Sequence, residues 1–367
     1  MPTSRRKIDR FFLISVALIT AVGFVIFLSA SLGLLTQTGV DFGTVVAKQA
    51  ISLGIGVAVF FIFSRLRYTW LRKAALFILL GAIAINLLLF VPALARHVNG
   101  ASRWINIGPI SFQPSELLKV AVIIYAAAWA YLARDKIKDM KHGLLPYLVI
   151  VGVLSALLLI QRDTDTMLII AGTAMLMFVI AGMPIRHMLV AFLLLGALVA
   201  GVVVVRPYAW QRIQTYLNRG SDAQGAGYQI NQSLIAIGSG RLSGRGFGQS
   251  IQKFGYLPQP TDDSIFAVAA EEFGFIGSIA LLGIYIILAA SIFRIGTKSP
   301  DIFGGLLVIG IGILITTESF MNMGAMLGLL PLSGVPLLFV SHGGTALIIS
   351  LMIAGIVANV SKYSNAV

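Results

Sequence analysis

GSGRLSGRGFGQSIQKFGYLPQPTDDSIFAVAAEEFG, residues 238–274, is the stretch whose reading decides the rest. It is rich in glycine and carries three cations (Arg241, Arg245, Lys253) and four carboxylates (Asp262, Asp263, Glu271, Glu272). It then runs without a break into an apolar segment of helix length. Charged, glycine-rich chain joined to a membrane helix is costly to keep unless it serves a purpose. The stretch therefore reads as a surface that the remainder of the chain presents at a membrane.

The remainder fits that reading. The chain has 367 residues, of which 58% are hydrophobic and only 11% charged, against about 25% charged in soluble proteins. With a mean hydropathy of +0.93, it is a polytopic membrane protein. In a soluble protein a net charge of +13 would suggest nucleic acid. Here most of the cations sit in short loops between apolar runs, the positive-inside pattern, which argues for orientation in a membrane and against nucleic-acid binding. The absence of cysteine excludes disulfides, thiol chemistry and Cys-based metal sites. The four histidines, His97, His142, His187 and His342, are scattered without metal-ligand spacing. The apolar run Phe11–Leu35 is too long for a signal-peptide core and reads as a retained first span.

A spanning helix needs roughly 20 apolar residues. That rule gives about ten spans, near 11–33, 45–64, 74–94, 114–133, 144–161, 166–183, 188–206, 264–294, 303–323 and 343–361. The expected fold is all-α, a single membrane domain over 1–367. Cations before the first span (Arg5, Arg6, Lys7, Arg10), after the second (Arg65, Arg67, Arg72, Lys73) and after the fourth (Arg134, Lys136, Lys138, Lys141) share one side, as do Arg186, Arg294, Lys298 and Lys362. Both termini are then cytoplasmic. The large extracytoplasmic loop, about 207–262, joins spans seven and eight. It holds Tyr208, Trp210, Tyr216, Tyr228 and an apolar-periodic piece (Ile230, Leu234, Ile235, Ile237) that suits an interfacial or re-entrant helix. Its cations Arg206, Arg212, Arg219, Arg241, Arg245 and Lys253 break the charge rule. They are either a solvated face or, with close-approaching glycine backbone, a cradle for phosphate or pyrophosphate.

Ionisable groups inside spans are functional candidates. Glu116 and Lys119 lie three apart on one face of the fourth helix and can pair, as a structural bond or as part of a cavity. Glu318 lies late in the ninth span beside Thr316, Thr317, Ser319 and Asn322. In QRDTDT, Asp163 and Asp165 can cap a helix or contribute to a divalent-cation site. Asn322–Gly344 is apolar but broken by Gly324, Gly328, Pro331, Gly334 and Pro336, which predicts a non-helical re-entrant segment closing a site on the outer side. The GRGFG at Gly244–Gly248 lacks the strand and the Lys-Ser/Thr ending of a nucleotide-binding loop.

Taken together, SAS (Ser29–Ser31), NGASRWINIG (Asn99–Gly108), FQPSELLK (Phe112–Lys119), QRDTDT (Gln161–Thr166), YQINQSLIAIGSG (Tyr228–Gly240), GRGFGQSIQKFGYLP (Gly244–Pro258), DSIFAVAAEEFG (Asp263–Gly274) and Asn322–Gly344 are similar to the SEDS proteins. These are the ten-span peptidoglycan glycosyltransferases that include FtsW and RodA. The resemblance covers nearly the whole chain, and GRGFGQSIQKFGYLP is closer to the FtsW, or division, branch. It implies polymerisation of lipid II, the undecaprenyl-pyrophosphate-linked disaccharide-pentapeptide, on the outer face of the bacterial plasma membrane, at the septum. It implies partnership with a class B penicillin-binding protein transpeptidase and other division proteins. It also implies that Asp263, just before Ile-Phe-Ala-Val, is the essential carboxylate. The chain departs from the family pattern in places. Asp262 stands at a usually Thr-like position, and His342 where the pattern has Tyr. Gln161–Thr166 replaces Gln-Pro-Asp-x-Gly-Thr, Gln259 a frequent Glu, and Glu318 a typical Gln.

On this reading Asp263 is a general base on the acceptor 4-hydroxyl. Arg241, Arg245 and Lys253, joined by Arg103, are electrostatic candidates for the departing pyrophosphate. Glu116, Lys119, Asp163 and Glu318 line the cavity. A divalent cation (Mg or Mn) is compatible with pyrophosphate chemistry, without a ligand set that specifies it. Two rival readings use the same residues differently: a lipid II flippase would exploit the intramembrane charges, and a non-catalytic division scaffold would not need Asp263.

Overall fold

The computed structural model describes residues 7–36, 41–91, 95–98, 101–107, 110–217 and 226–364. In chain order the helices are α1 (Arg10–Ser31), α2 (Phe42–Arg65), α3 (Tyr68–Leu87), α4 (Pro114–Leu132), α5 (Leu144–Ile160), α6 (Thr164–Ile180), α7 (Ile185–Val205), α8 (Pro207–Leu217), α9 (Ala226–Ser239), α10 (Ile265–Thr297), α11 (Ile302–Met326) and α12 (Gly344–Ser361). Among the described residues eight of these are long and apolar enough to cross a membrane, and α5 and α6 are apolar helices of 17 residues. These ten helices fall on the ten apolar runs read from the sequence, with α5 and α6 shorter than the other eight.

Local chemistry sets several of the starts. Asp9, Asp41, Asp163 and Asp301 each accept a hydrogen bond from a backbone N–H of the first turn that follows, which satisfies donors that a helix N-terminus leaves open. Pro114 opens α4, where a missing N–H costs nothing. α3 starts six residues before the expected 74, and the cations Arg72 and Lys73 fall inside it. The Arg72 guanidinium lies 4.3 Å from the centroid of the Tyr131 ring. Its charge sits on an aromatic face while its stem runs along the helix, which hydropathy alone does not credit.

The connection between α3 and α4 adds strands that periodicity did not announce. β1 (Ala95–Val98), β2 (Ala101–Ile107) and β3 (Ile110–Phe112) form an antiparallel sheet in that order. Asn99, Gly100 and Gly108 of the NGASRWINIG motif lie outside the described residues, as does Arg219.

α4, α11 and α12 are the interior of the bundle, and α7 is its periphery, with only His187 and Ala191 buried. Several polar side chains inside the bundle tie its helices together. Asn359 Nδ2 donates to Ser64 O at 2.7 Å, and its Oδ1 accepts from Tyr68 N at 3.1 Å. Arg294 at the end of α10 meets Asp9 at 2.6 Å, and Asp9 N donates to Ser361 Oγ at 3.3 Å. The start of α1 and the ends of α10 and α12 therefore share one end of the bundle. The stretch 327–343 is non-helical and largely buried. The irregular segment expected over Asn322–Gly344 begins later than expected, because α11 continues through Met326. The 207–262 loop contributes α8 and α9, and Ile230–Ile237 falls on α9, where a helix was expected.

Candidate functional site

Gly274 shapes the stretch quoted first. Its φ of 67° and ψ of −163° break α10 into a short helix, 265–273, and a long one. That backbone conformation is essentially confined to glycine, and a Cβ would collide with the backbone of Gly244 and Leu242. The two acids just before it hold the loop. Glu271 accepts from Ser250 Oγ (2.6 Å), Ile251 N (3.1 Å) and Gln252 N (3.2 Å), and pairs with Arg245 at 3.2 Å. Glu272 pairs with Lys253 at 2.6 Å and accepts from Ser29 Oγ of α1. These bonds anchor residues 239–253 to α10 and α1.

This changes the reading of three expected substrate cations. Lys253 is fully buried and bound to Glu272, Arg245 is bound to Glu271, and Arg241 adjoins the kink, its carbonyl accepting from Phe275 N at 2.8 Å. At 1.5 Å per helical residue, Glu271 lies roughly 12 Å along the chain from Asp263. The structure does not bring Arg241, Arg245 or Lys253 to that carboxylate. A buried lysine needs a carboxylate partner, and the nearest one in the fold is Glu272.

Asp263 sits at the other end of the short helix, held from α11 and from 327–343. Asn322 Nδ2 donates to Asp263 O and to Val335 O, both at 2.8 Å. Ser341 Oγ donates to Asp262 O at 2.7 Å, and His342 N to Thr261 O at 2.7 Å. Gly334 marks the meeting point. A Cβ there would stand 3.7 Å from Asp263 Oδ2, 3.9 Å from Arg103 Nη1 and 3.9 Å from Asp165 Oδ2. Gly334 N donates to Asp165 Oδ2 at 3.3 Å. Arg103, from β2, pairs with Asp163 at 3.7 Å and donates to the Arg162 carbonyl. Arg212, from α8, pairs with Asp165 at 2.9 Å. Five segments distant in sequence thus converge on one carboxylate.

Burial pushes Asp263 up to about 7, Asp262 and Asp165 push it the same way, and Arg212 and Arg103 oppose them. A carboxyl held near neutrality in a cleft is suited to accept a proton. Among the described residues no group of three His, Asp or Glu side chains stands ready to hold a metal ion. Asp163 caps α6 through Oδ1, and Asp165 is engaged by Arg212.

Glu116, Lys119 and Glu318 form a separate buried group between α4 and α11. Lys119 Nζ meets Glu116 Oε1 at 2.8 Å and also bonds Glu318 Oε1. The fourth-helix pair expected from spacing is present, with a second carboxylate that spacing did not reveal. Sequence reasoning named Arg212, Asp165 and His342 without placing them at the site. Arg212 was one of six loop cations, and only the folding of α8 over α6 distinguishes it.

The model of the FtsW/RodA/SpoVE cell cycle protein family matches residues 9–366. The chain is 35% identical over 369 residues to stage V sporulation protein E of Bacillus subtilis (strain 168), covering 99% of this chain and 100% of that one. It is 36% identical over 353 residues to a "Probable peptidoglycan glycosyltransferase FtsW" of Geobacter sp. (strain M18), covering 96% of each. A chain of a solved complex, described as "Structural coordination of polymerization and crosslinking by a peptidoglycan synthase complex", superposes with a TM-score of 0.77 at 27% identity, over 96% of this chain and 97% of that one. With the motifs, the multi-pass fold and these likenesses in agreement, the chain belongs to the FtsW/RodA/SpoVE (SEDS) family and is a peptidoglycan glycosyltransferase.

Proposed function

We propose that the chain polymerises lipid II on the outer face of the bacterial plasma membrane during division, with Asp263 as general base. The observation that carries this is the convergence of Asp263, Asp165 and Arg103 around Gly334, at a carboxyl that burial holds near neutrality. Asp263 removes the proton from the 4-hydroxyl of the acceptor sugar as that oxygen attacks the anomeric carbon of the donor. The bond to the pyrophosphate breaks, and its electron pair leaves with the pyrophosphate. Arg103 and Arg212, the cations facing Asp263, stabilise the charge that develops there. This assigns them the task that the sequence suggested for Arg241, Arg245 and Lys253. The buried group of Glu116, Lys119 and Glu318 holds α4 against α11 beneath the site.

A class B penicillin-binding protein is the proposed partner, supported by the likeness to a chain of a synthase complex. The division role, with septal localisation and other division proteins as further partners, is supported by the FtsW-named relatives. The test is glycan synthesis from purified lipid II in detergent, with and without that partner. Wild type and Asp262→Asn polymerise, and Asp263→Asn does not. Polymer from folded Asp263→Asn would overturn the assignment. Wild type that binds lipid II but makes no polymer even with its partner would favour transport or scaffolding.

A further inference from the structure

His342 and Asp262 are 80 residues apart in sequence, and they touch. His342 Nδ1 lies 3.2 Å from Asp262 Oδ1. The ring also stacks on Phe27 of α1, with centroids 5.7 Å apart and planes 14° from parallel. Its backbone N–H is tied to Thr261 O. The imidazole is thus held in place against the carboxylate that immediately precedes Asp263. It keeps partial contact with water, at 33% side-chain exposure.

The surroundings give the contact a consequence. Asp263 faces Asp262 on its own segment, Asp165 from α6, Arg212 from α8 and Arg103 from β2. The two arginines are already engaged, Arg212 with Asp165 and Arg103 with Asp163. Asp262 is in contact with the His342 ring, which is a cation when protonated. Two adjacent carboxylates disfavour ionisation of each other, and a cation on one relieves the other.

We propose that His342 and Asp262 form a positioning pair for the glycosyl transfer, in which the imidazolium holds the Asp262 carboxylate and so lets Asp263 remain ionised as the base. The proposal rests on the reading of Asp263 as general base. A protonated imidazole is the cation that the contact geometry places against Asp262. The sign is definite. Loss of the imidazolium leaves Asp262 bare, Asp263 then keeps its proton to higher pH, and the acid limb of activity moves up. Loss of Asp262 removes both that repulsion and the carboxylate that the ring contacts, and the limb moves little.

The experiment is the pH profile of lipid II polymerisation by the full-length chain with its penicillin-binding partner, for wild type, His342→Tyr, Asp262→Thr, the double variant and Asp263→Asn. Tyrosine preserves an aromatic stack on Phe27 and removes the charge. The expected result is an acid limb raised by about one pH unit in His342→Tyr, a tenfold loss at its foot, and a wild-type limb in the double variant. An unmoved limb in His342→Tyr, or the same rise in the Asp262→Thr background, overturns the pair. His342→Gln, read in the same way, serves if His342→Tyr is recovered unfolded. Asp263→Asn separates the two ideas: polymer from it removes the base reading, whereas a silent Asp263→Asn with an unmoved His342→Tyr limb removes only the pair.

Discussion

Arg212 Nη1 of α8 lies 3.0 Å from Asp165 Oδ1 and 2.9 Å from Asp165 Oδ2 on α6. Asp165 in turn accepts from Gly334 N. One carboxylate thereby joins α8, the bundle and the buried 327–343 connection around Asp263. Arg212 also lowers the proton affinity of Asp263. In Arg212→Gln that opposition is lost and Asp263 holds its proton to higher pH. The expected outcome is an acid limb of the polymerisation profile raised by about one pH unit, with activity partly recovered at alkaline pH.

Asp263 should weaken the fold it serves. Native Asp263 keeps its proton to about pH 7, whereas an unfolded Asp releases it near about 4. Between those values the native state binds more protons, so this group's contribution to stability falls as pH rises. The full difference corresponds to about 4 kcal/mol, and partial solvent contact reduces it to on the order of 2 kcal/mol. Thermal unfolding in detergent should show Asp263→Asn more stable than wild type at pH 8 and equal to it at pH 4. Equal stability at both pH values would mean that the carboxyl is not held up in the native state.

Lys253 and Glu272 test whether that lysine is structural. Removing one partner of a buried pair leaves an uncompensated charge and costs about 3–5 kcal/mol, whereas replacing both by apolar residues is often close to neutral. Lys253→Met should therefore lower the unfolding temperature strongly, and Lys253→Met/Glu272→Met should recover most of it together with polymerisation. A stable double variant that fails to polymerise would return Lys253 to the substrate site.

Gly334 is the space at which the cleft groups meet. A Cβ there makes ordinary contacts at 3.7 and 3.9 Å, whereas a larger side chain would occupy the gap beside Asp263 and Arg103. Gly334→Ala should retain most activity, and Gly334→Val should lose on the order of a hundredfold, because small displacements of reacting groups cost rate steeply. Unfolding temperatures of both should stay near wild type, as the position faces a cleft and not the packed core.

The family resemblance is what pointed to Asp263; the membrane class, the ten apolar helices and an irregular segment within 322–344 were legible in the sequence itself. Each follows from composition over a window or from a short run of adjacent residues. A 20-residue apolar run has few ways to satisfy its backbone in lipid, so the helices are dictated locally. Gly274 and the acids before it likewise announce a break and two carboxylates that need partners.

Which partners they take was decided by the tertiary structure. Glu271 takes Arg245, Glu272 takes Lys253, and these pairings remove two of the three loop cations from the candidate site. The cations that face Asp263 come from β2 and α8, and a third charged neighbour, Asp165, from α6. Nothing in the spacing separates Arg212 from Arg245, because both are arginines in one basic loop. Coulomb energy and desolvation depend on distances across the folded chain, and residues 50 to 160 positions from Asp263 acquire those distances only when the helices pack.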